Sequence, residues 1–178
     1  MLAWLVVCCL PVLAHAGQIE RVDVTSRDGL YRVTVVARIA ATPRRFIDLL
    51  TDYGNLHAIN PSVRQSRVLE SLSERQHRVE TLIELCVLFF CSEFRQVQDM
   101  RYSPPGLLSA QVLPEHSDFR SGWARWQFSD GGDATQLHFE SELAPKFFIP
   151  PIVGPLIIRH MMKREALATI DGLERLAR

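Results

Sequence analysis

YRVTVVARIAATPRRFIDLLTDY, residues 31–53, changes its hydrophobic period part-way along. Tyr31, Val33, Val35, Ala37 and Ile39 recur at every second residue, which marks a strand with one buried face. Thr42-Pro43 then opens a helix: a threonine oxygen accepts from the free N–H groups of the first turn, and proline suits the first helical position. Phe46, Ile47, Leu49 and Leu50 give that helix an apolar face, and Tyr53-Gly54-Asn55 ends it. Upstream, Ile19, Val22 and Val24 alternate into Asp28-Gly29, a turn. Downstream, a second short helix over 56–59 stops at Asn60-Pro61, because the residue before a proline is pushed out of the helical region.

From Val63 onward the pattern is β, with strands expected at Arg64–Ser71, Gln76–Leu85, Ser92–Tyr102, Leu107–Leu113, Phe119–Phe128 and Thr135–Leu143. The gaps between them hold turn chemistry, such as Ser103-Pro104-Pro105-Gly106 and Asp130-Gly131-Gly132-Asp133. In the last strand Thr135, Leu137, Phe139, Ser141 and Leu143 share one face, while Gln136, His138, Glu140 and Glu142 share the other. Such strands belong to an antiparallel sheet with one wet and one covered face. The cover is a long helix, expected over Ile152–Ala177, whose apolar residues recur at three- and four-residue steps behind Pro150, Pro151 and Pro155. The expected fold class is α+β. About seven strands form a curved antiparallel sheet round one long C-terminal helix, two short helices follow the first strand, and space remains between sheet and helix.

The 178 residues are 47% hydrophobic and carry 20 Lys+Arg against 20 Asp+Glu, a formal net charge of zero. That apolar fraction excludes disorder, and the balanced charge supplies no excess for a polyanion, so no nucleic-acid partner is expected. The first sixteen residues contain no Asp, Glu, Lys or Arg. Residues 1–16 read as a signal peptide: Leu2 to Leu10 form the apolar stretch, Pro11 breaks it, and Ala14-His15-Ala16 is a small-x-small cleavage site before Gly17. The segment lacks a basic start, which leaves a truncated start or an uncleaved anchor as alternatives, although it is short of the roughly 20 residues of a membrane span. The expectation is a secreted or periplasmic protein whose residues 17–178 form a single domain.

Export gives the cysteines their meaning. Cys8 and Cys9 leave with the signal, and Cys86 and Cys91 remain in a compartment that favours disulfides. On one straight strand these two would face opposite sides roughly 16 Å apart, beyond any bond. A disulfide therefore requires the chain to reverse between them, at a hairpin tip; buried free thiols are the alternative. The tip would carry Val87-Leu88-Phe89-Phe90, four apolar residues where a turn is normally polar, and this marks a membrane or partner contact unless the tip folds over the interior. Lys146-Phe147-Phe148-Ile149-Pro150-Pro151 is a second apolar segment, at the start of the long helix.

Enzyme chemistry finds little to stand on. His57, His77, His116, His138 and His160 fall on separate elements with no HxxxH or HExxH spacing, and no phosphate loop or GxSxG elbow occurs. No catalytic residue, metal or cofactor is assigned. A polar pair drawn from His77, Arg78, Glu80, Glu84 and Arg95 is the remaining route to catalysis. By alternation, Arg78, Glu80 and Glu84 share a face with Leu82, while His77, Val79, Thr81, Ile83 and Leu85 share the other. The second set is expected inward and the charged trio on a solvated face.

Ala37-Arg38-Ile39-Ala40 stands before Thr42-Pro43, and Leu50-Thr51-Asp52-Tyr53 is followed by Leu56, Ile59, Pro61 and Val63. With these residues the order of elements resembles the START-like helix-grip superfamily (SRPBCC), and within it the polyketide cyclase/dehydrase and coenzyme Q-binding group. Gly122-Trp123-Ala124-Arg125-Trp126-Gln127-Phe128, Thr135 and the proline-interrupted start of the last helix extend the resemblance over about 31–177. These motifs are structural, so they identify a fold better than an activity. The resemblance implies a lipid, quinone or polyketide-like ligand held between the sheet and the long helix. The candidate lining is Val79 and Ile83; Phe94, Gln98 and Met100; Trp126 and Phe128; Leu137 and Phe139; and, from the helix, Leu156, His160 and Met161. The expected function is a monomeric, exported binding or carrier protein for a hydrophobic small molecule, with transient membrane contact. A cyclase/dehydratase-type enzyme and an apolar docking module are the alternatives.

Overall fold

A computed structural model describes residues 18–87, 90–132, 134–150 and 152–178. The expected signal peptide and the tip residues Leu88 and Phe89 lie outside the described residues. Strands β1 (Gln18–Arg27) and β2 (Leu30–Ile39) form a hairpin through Asp28-Gly29. Both turn residues have positive φ, 51° and 76°, the conformation that matches a two-residue turn to the twist of its strands. Helix α1 (Pro43–Thr51) follows, with the Thr42 side chain accepting from the Arg45 N–H at 3.3 Å, and then α2 (Leu56–Ile59). Six further strands come next: β3 (Val63–Ser73), β4 (Gln76–Val87), β5 (Phe90–Ser103), β6 (Leu107–Val112), β7 (Phe119–Asp130) and β8 (Thr135–Pro145). Helix α3 (Gly154–Ala177) closes the chain.

All strands join one antiparallel sheet in the order β1-β2-β8-β7-β6-β5-β4-β3. It has eight strands rather than about seven, and the short helices follow the second strand, not the first. The additional strand is β1, an edge strand that turns little beyond Val22 and Val24 toward the interior and so carries a weak periodic signal. Helix α3 begins at Gly154, two residues later than the apolar spacing implies, with Pro155 in its first turn.

Register defines the inner face. Val35, Phe139, Trp126 and Leu108 form one transverse row across β2, β8, β7 and β6, and Ala37, Leu137 and Phe128 form the next across β2, β8 and β7. One end of this face is packed shut. Phe46 of α1 stacks on Phe128 at 5.5 Å, and Ala166, Ile170 and Leu173 of α3 lie against the same cluster with Ile59 of α2. Each large side chain buried there contributes about 1.5–3 kcal/mol. Helix α3 reaches this position because Gly172 lies hard against α2: a Cβ at 172 would stand 1.8 Å from the Ile59 carbonyl oxygen.

The outer face of β3–β4–β5 carries cross-strand ion pairs. Arg78 meets Asp99 at 2.9 Å and Glu70 at 3.0 Å, and Arg64 pairs with Glu84. Glu80 points outward as expected, but it is buried rather than solvated. The reason is cover by its partners: Arg67 and Arg95 each donate to one of its carboxylate oxygens at 2.6 Å and lay their stems over it. Those two hydrogen bonds hold the Glu80 carboxyl below the usual carboxylate range.

Two predictions follow from this packing. Gly172→Ala should lower stability by about 1–3 kcal/mol in urea unfolding, because the helix or the Ile59 backbone must shift; an unchanged midpoint would contradict the close approach. A carboxyl whose folded pKa is depressed stabilises above its unfolded value of about 4.3 and loses that contribution as pH falls through the folded value. The wild type should therefore lose thermal stability more steeply than Glu80→Gln on going from about pH 5 to 3, and parallel curves would exclude Glu80 as the group responsible.

Candidate ligand-binding site

Away from the packed end, the inner face keeps accessible apolar surface. Ile83 of β4, Phe94 of β5, Trp126 of β7 and Phe139 of β8 are all half-buried, and the Trp126 and Phe139 rings lie 5.1 Å apart. Gln98 and Met161 are half-buried as well. Val79, Met100, Phe128 and Leu137, of the same candidate set, sit in the closed core. Leu156 and His160 are exposed on the first turns of α3, at its rim rather than in the interior. The candidate lining thus divides into a closed floor, an accessible wall and a rim.

Inner-face positions 31–39 of β2, 77–85 of β4, 94–102 of β5, 108–112 of β6, 122–128 of β7 and 135–143 of β8 contain no Asp, Glu, Lys or Arg. Of the five polar residues considered for a pair, Arg78, Glu80, Glu84 and Arg95 take outward positions. His77 faces inward at the end of β4, where its Nδ1 lies 3.2 Å from the Ser71 hydroxyl and its ring 5.6 Å from that of Tyr53. It lines a pocket of about 590 Å³ between α1, the β3–β4 turn and Tyr102. Burial pushes the Tyr53 phenol up to about 12, so it stays a neutral hydroxyl at ordinary pH.

The rim lies at the other end. Cys86 and Cys91 are bonded across the β4–β5 hairpin with their Cα atoms 4.0 Å apart, and the chain reverses between them as a bond at that spacing demands. Phe94, inside the tip, meets Phe147 at 4.7 Å, and Phe119 meets the same ring at 6.4 Å, which brings the hairpin and the segment before α3 to one end. Large apolar side chains stand in solvent there: Phe90 is 79% exposed, Phe148 82%, Ile152 86% and Leu156 65%. Val87 pairs with Phe90 in register at the end of β4. Residues 144–164 also carry Lys146, Arg159, Lys163 and Arg164, and no Asp or Glu. A pocket of about 380 Å³ opens beside them, lined by residues that include Tyr31, Arg120 and Phe147. No helix among the described residues is long and apolar enough to cross a membrane.

Sequence reasoning found the apolar segments of the rim, because runs such as Phe147-Phe148-Ile149 stand out without any structure. It passed over Ser66, which with Thr81 is buried on the inner face without a hydrogen-bond partner. Small hydroxyl side chains leave no periodic trace in a strand as exposed as β3.

Solved structures of related shape place this geometry. A STAR-related lipid transfer protein from Xanthomonas axonopodis superposes with a TM-score of 0.71 at 14% identity, over 92% of this chain and 100% of that one. The Zhui aromatase/cyclase from Streptomyces sp. R1128 gives 0.71 at 13% identity, over 83% of this chain and 93% of that one. Human STARD10 gives 0.61 at 10% identity, over 88% and 72%. At such identities the likeness is one of fold. No curated protein matches the chain. The pattern of one family does match, over residues 31–178, nearly all of the described fold, and the chain belongs to that family: polyketide cyclase / dehydrase and lipid transport.

Proposed function

We propose that this chain binds a hydrophobic small molecule, of the lipid, quinone or polyketide-like class, between the inner face of the sheet and α3, and that it carries the molecule rather than transforming it. The observation that supports this most is the accessible wall of Ile83, Phe94, Trp126 and Phe139 beneath an exposed apolar rim. The family's description spans both lipid transport and cyclisation. The absence of Asp, Glu, Lys and Arg from the inner-face positions of β2 and β4–β8 favours transport, since it leaves His77 as the main acid–base candidate there. Affinity would come mainly from apolar burial at about 25 cal/mol per Å².

The rim would serve as the docking surface. Its apolar side chains suit the boundary between head groups and acyl chains, and the cations of residues 144–164 favour an anionic lipid surface. The Cys86–Cys91 bond would hold the tip in shape during contact. In the same reading residues 1–16 direct export, residues 17–178 work as one domain, and the protein acts outside the cytoplasm.

Two outcomes are expected. Native mass spectrometry of the whole chain from an exporting bacterial host should show a bound mass that solvent extraction releases as a lipid or quinone; a bare protein after gentle handling would count against carriage. The double substitution Phe148→Ser with Ile152→Ser should weaken flotation with phosphatidylcholine–phosphatidylglycerol vesicles about tenfold or more. Added salt should weaken wild-type binding too. A folded variant that floats like the wild type would remove the rim from membrane contact.

A further inference from the structure

Ser66, Thr81 and Gln96 are consecutive partners across β3, β4 and β5, so they form one transverse polar row on the inner face. Gln98 stands beside it in the next row. The hydroxyls of Ser66 and Thr81 are buried and have no hydrogen-bond partner, and the Gln96 and Gln98 amides form none among the described residues. Buried polar groups in native proteins are nearly always satisfied, so two orphaned hydroxyls side by side call for an explanation. The row lies two residues, roughly 7 Å, inside the Ile83–Phe94 pair that borders the rim. Val63, Ile83 and Phe94 flank it on the rim side and Val68 and Val79 on the other, and no charged side chain shares the inner face of β4 through β8.

We propose that Ser66, Thr81, Gln96 and Gln98 form a neutral hydrogen-bonding subsite. It takes the hydroxyl- or carbonyl-bearing end of an uncharged amphiphile and discriminates against anionic head groups. Hydroxyls and amides both donate and accept, so together they complement a neutral oxygen in either role. An anion placed there would lose its hydration with no cation on the inner face to compensate. The discrimination is therefore of the kind a polar pocket exerts best, in which an analogue lacking the oxygen leaves buried groups unpaired. This inference rests on the proposed interior binding site and names the ligand class that the site selects.

The test uses three probes with one chain length: oleyl alcohol, oleyl sulfate and 1-octadecene. Each competes with the neutral dye N-phenyl-1-naphthylamine on the whole chain from an exporting host. The alcohol should displace the dye at a concentration at least tenfold lower than either of the others. In Ser66→Ala with Thr81→Val the alcohol-over-octadecene ratio should shrink below threefold, with the thermal midpoint unchanged or raised, because two unpaired buried hydroxyls are gone. Gln98→Met carries the same test from β5 should the double variant fail to fold. Sulfate competing as well as the alcohol, or variants that keep the full ratio, would overturn the subsite while leaving the binding cavity standing. If neither the dye nor octadecene binds, the cavity itself is refuted and the subsite with it.

Discussion

One helix cannot cover an eight-stranded sheet, and the rest of the structure depends on that mismatch. Eight strands at about 4.8 Å spacing span roughly 35 Å, whereas a helix with its side chains is only about 10–12 Å across. Helix α3 lies closest to β1 and β2 and to the two short helices, and Arg159 donates to the Val24 carbonyl oxygen at 3.0 Å. With Gly172 pressed on Ile59, its C-terminal half joins α1 and α2 in sealing one end of the concave face. The opposite end keeps Ile83, Phe94, Trp126 and Phe139 partly uncovered. A sheet built this way either collapses, takes a ligand, or fills the space with its own side chains.

Charge is sorted by surface. The outer face of β3–β4–β5 holds the arginine–carboxylate pairs around Glu80 and Asp99, with the stems of Arg67 and Arg95 covering Glu80. The inner face is neutral from β2 across to β4. The rim is apolar, and the segment 144–164 that borders it carries Lys146, Arg159, Lys163 and Arg164 with no Asp or Glu, although the chain as a whole has no net charge. In the proposed reading an anionic lipid surface would meet the rim and an uncharged molecule the interior. In this account the two kinds of lipid chemistry are separated along one path, from the hairpin tip inward.

Much of the fold was legible before any coordinates, and the reasons are local. The period-two run from Tyr31 to Ile39, the Thr42 cap and the Asn60-Pro61 stop are short-range signals, and each element formed where its residues direct. For the cysteines, strand geometry supplied the condition that residues five apart bond only across a reversal, and the bond itself was expected from the export reading, with free thiols as the alternative. Strand β1 was harder to read as a separate strand because an edge strand buries little. The burial of Glu80 depends on Arg67 and Arg95 from neighbouring strands, and no alternation rule encodes that. The strand residues of the candidate lining lie on the inner face, but alternation could not tell the closed floor at Val79 and Leu137 from the more accessible Trp126. That division is set by where α1 and the end of α3 come to rest. Alternation placed Thr81 inward, but that its hydroxyl and that of Ser66 lack partners was not legible, because an unsatisfied hydroxyl is a property of its surroundings.

The two tryptophans of β7 allow the central claim to be tested in one experiment. Trp126 faces the interior beside Phe139, whereas Trp123 takes an outward position with the Arg32 guanidinium 5.9 Å from its ring. Chains retaining only one tryptophan each, titrated with a dibrominated fatty alcohol in the absence of vesicles, separate interior binding from surface adsorption. The account predicts saturable quenching of Trp126 and no quenching of Trp123. Equal quenching of both, or none at Trp126, would contradict a binding site between the sheet and α3.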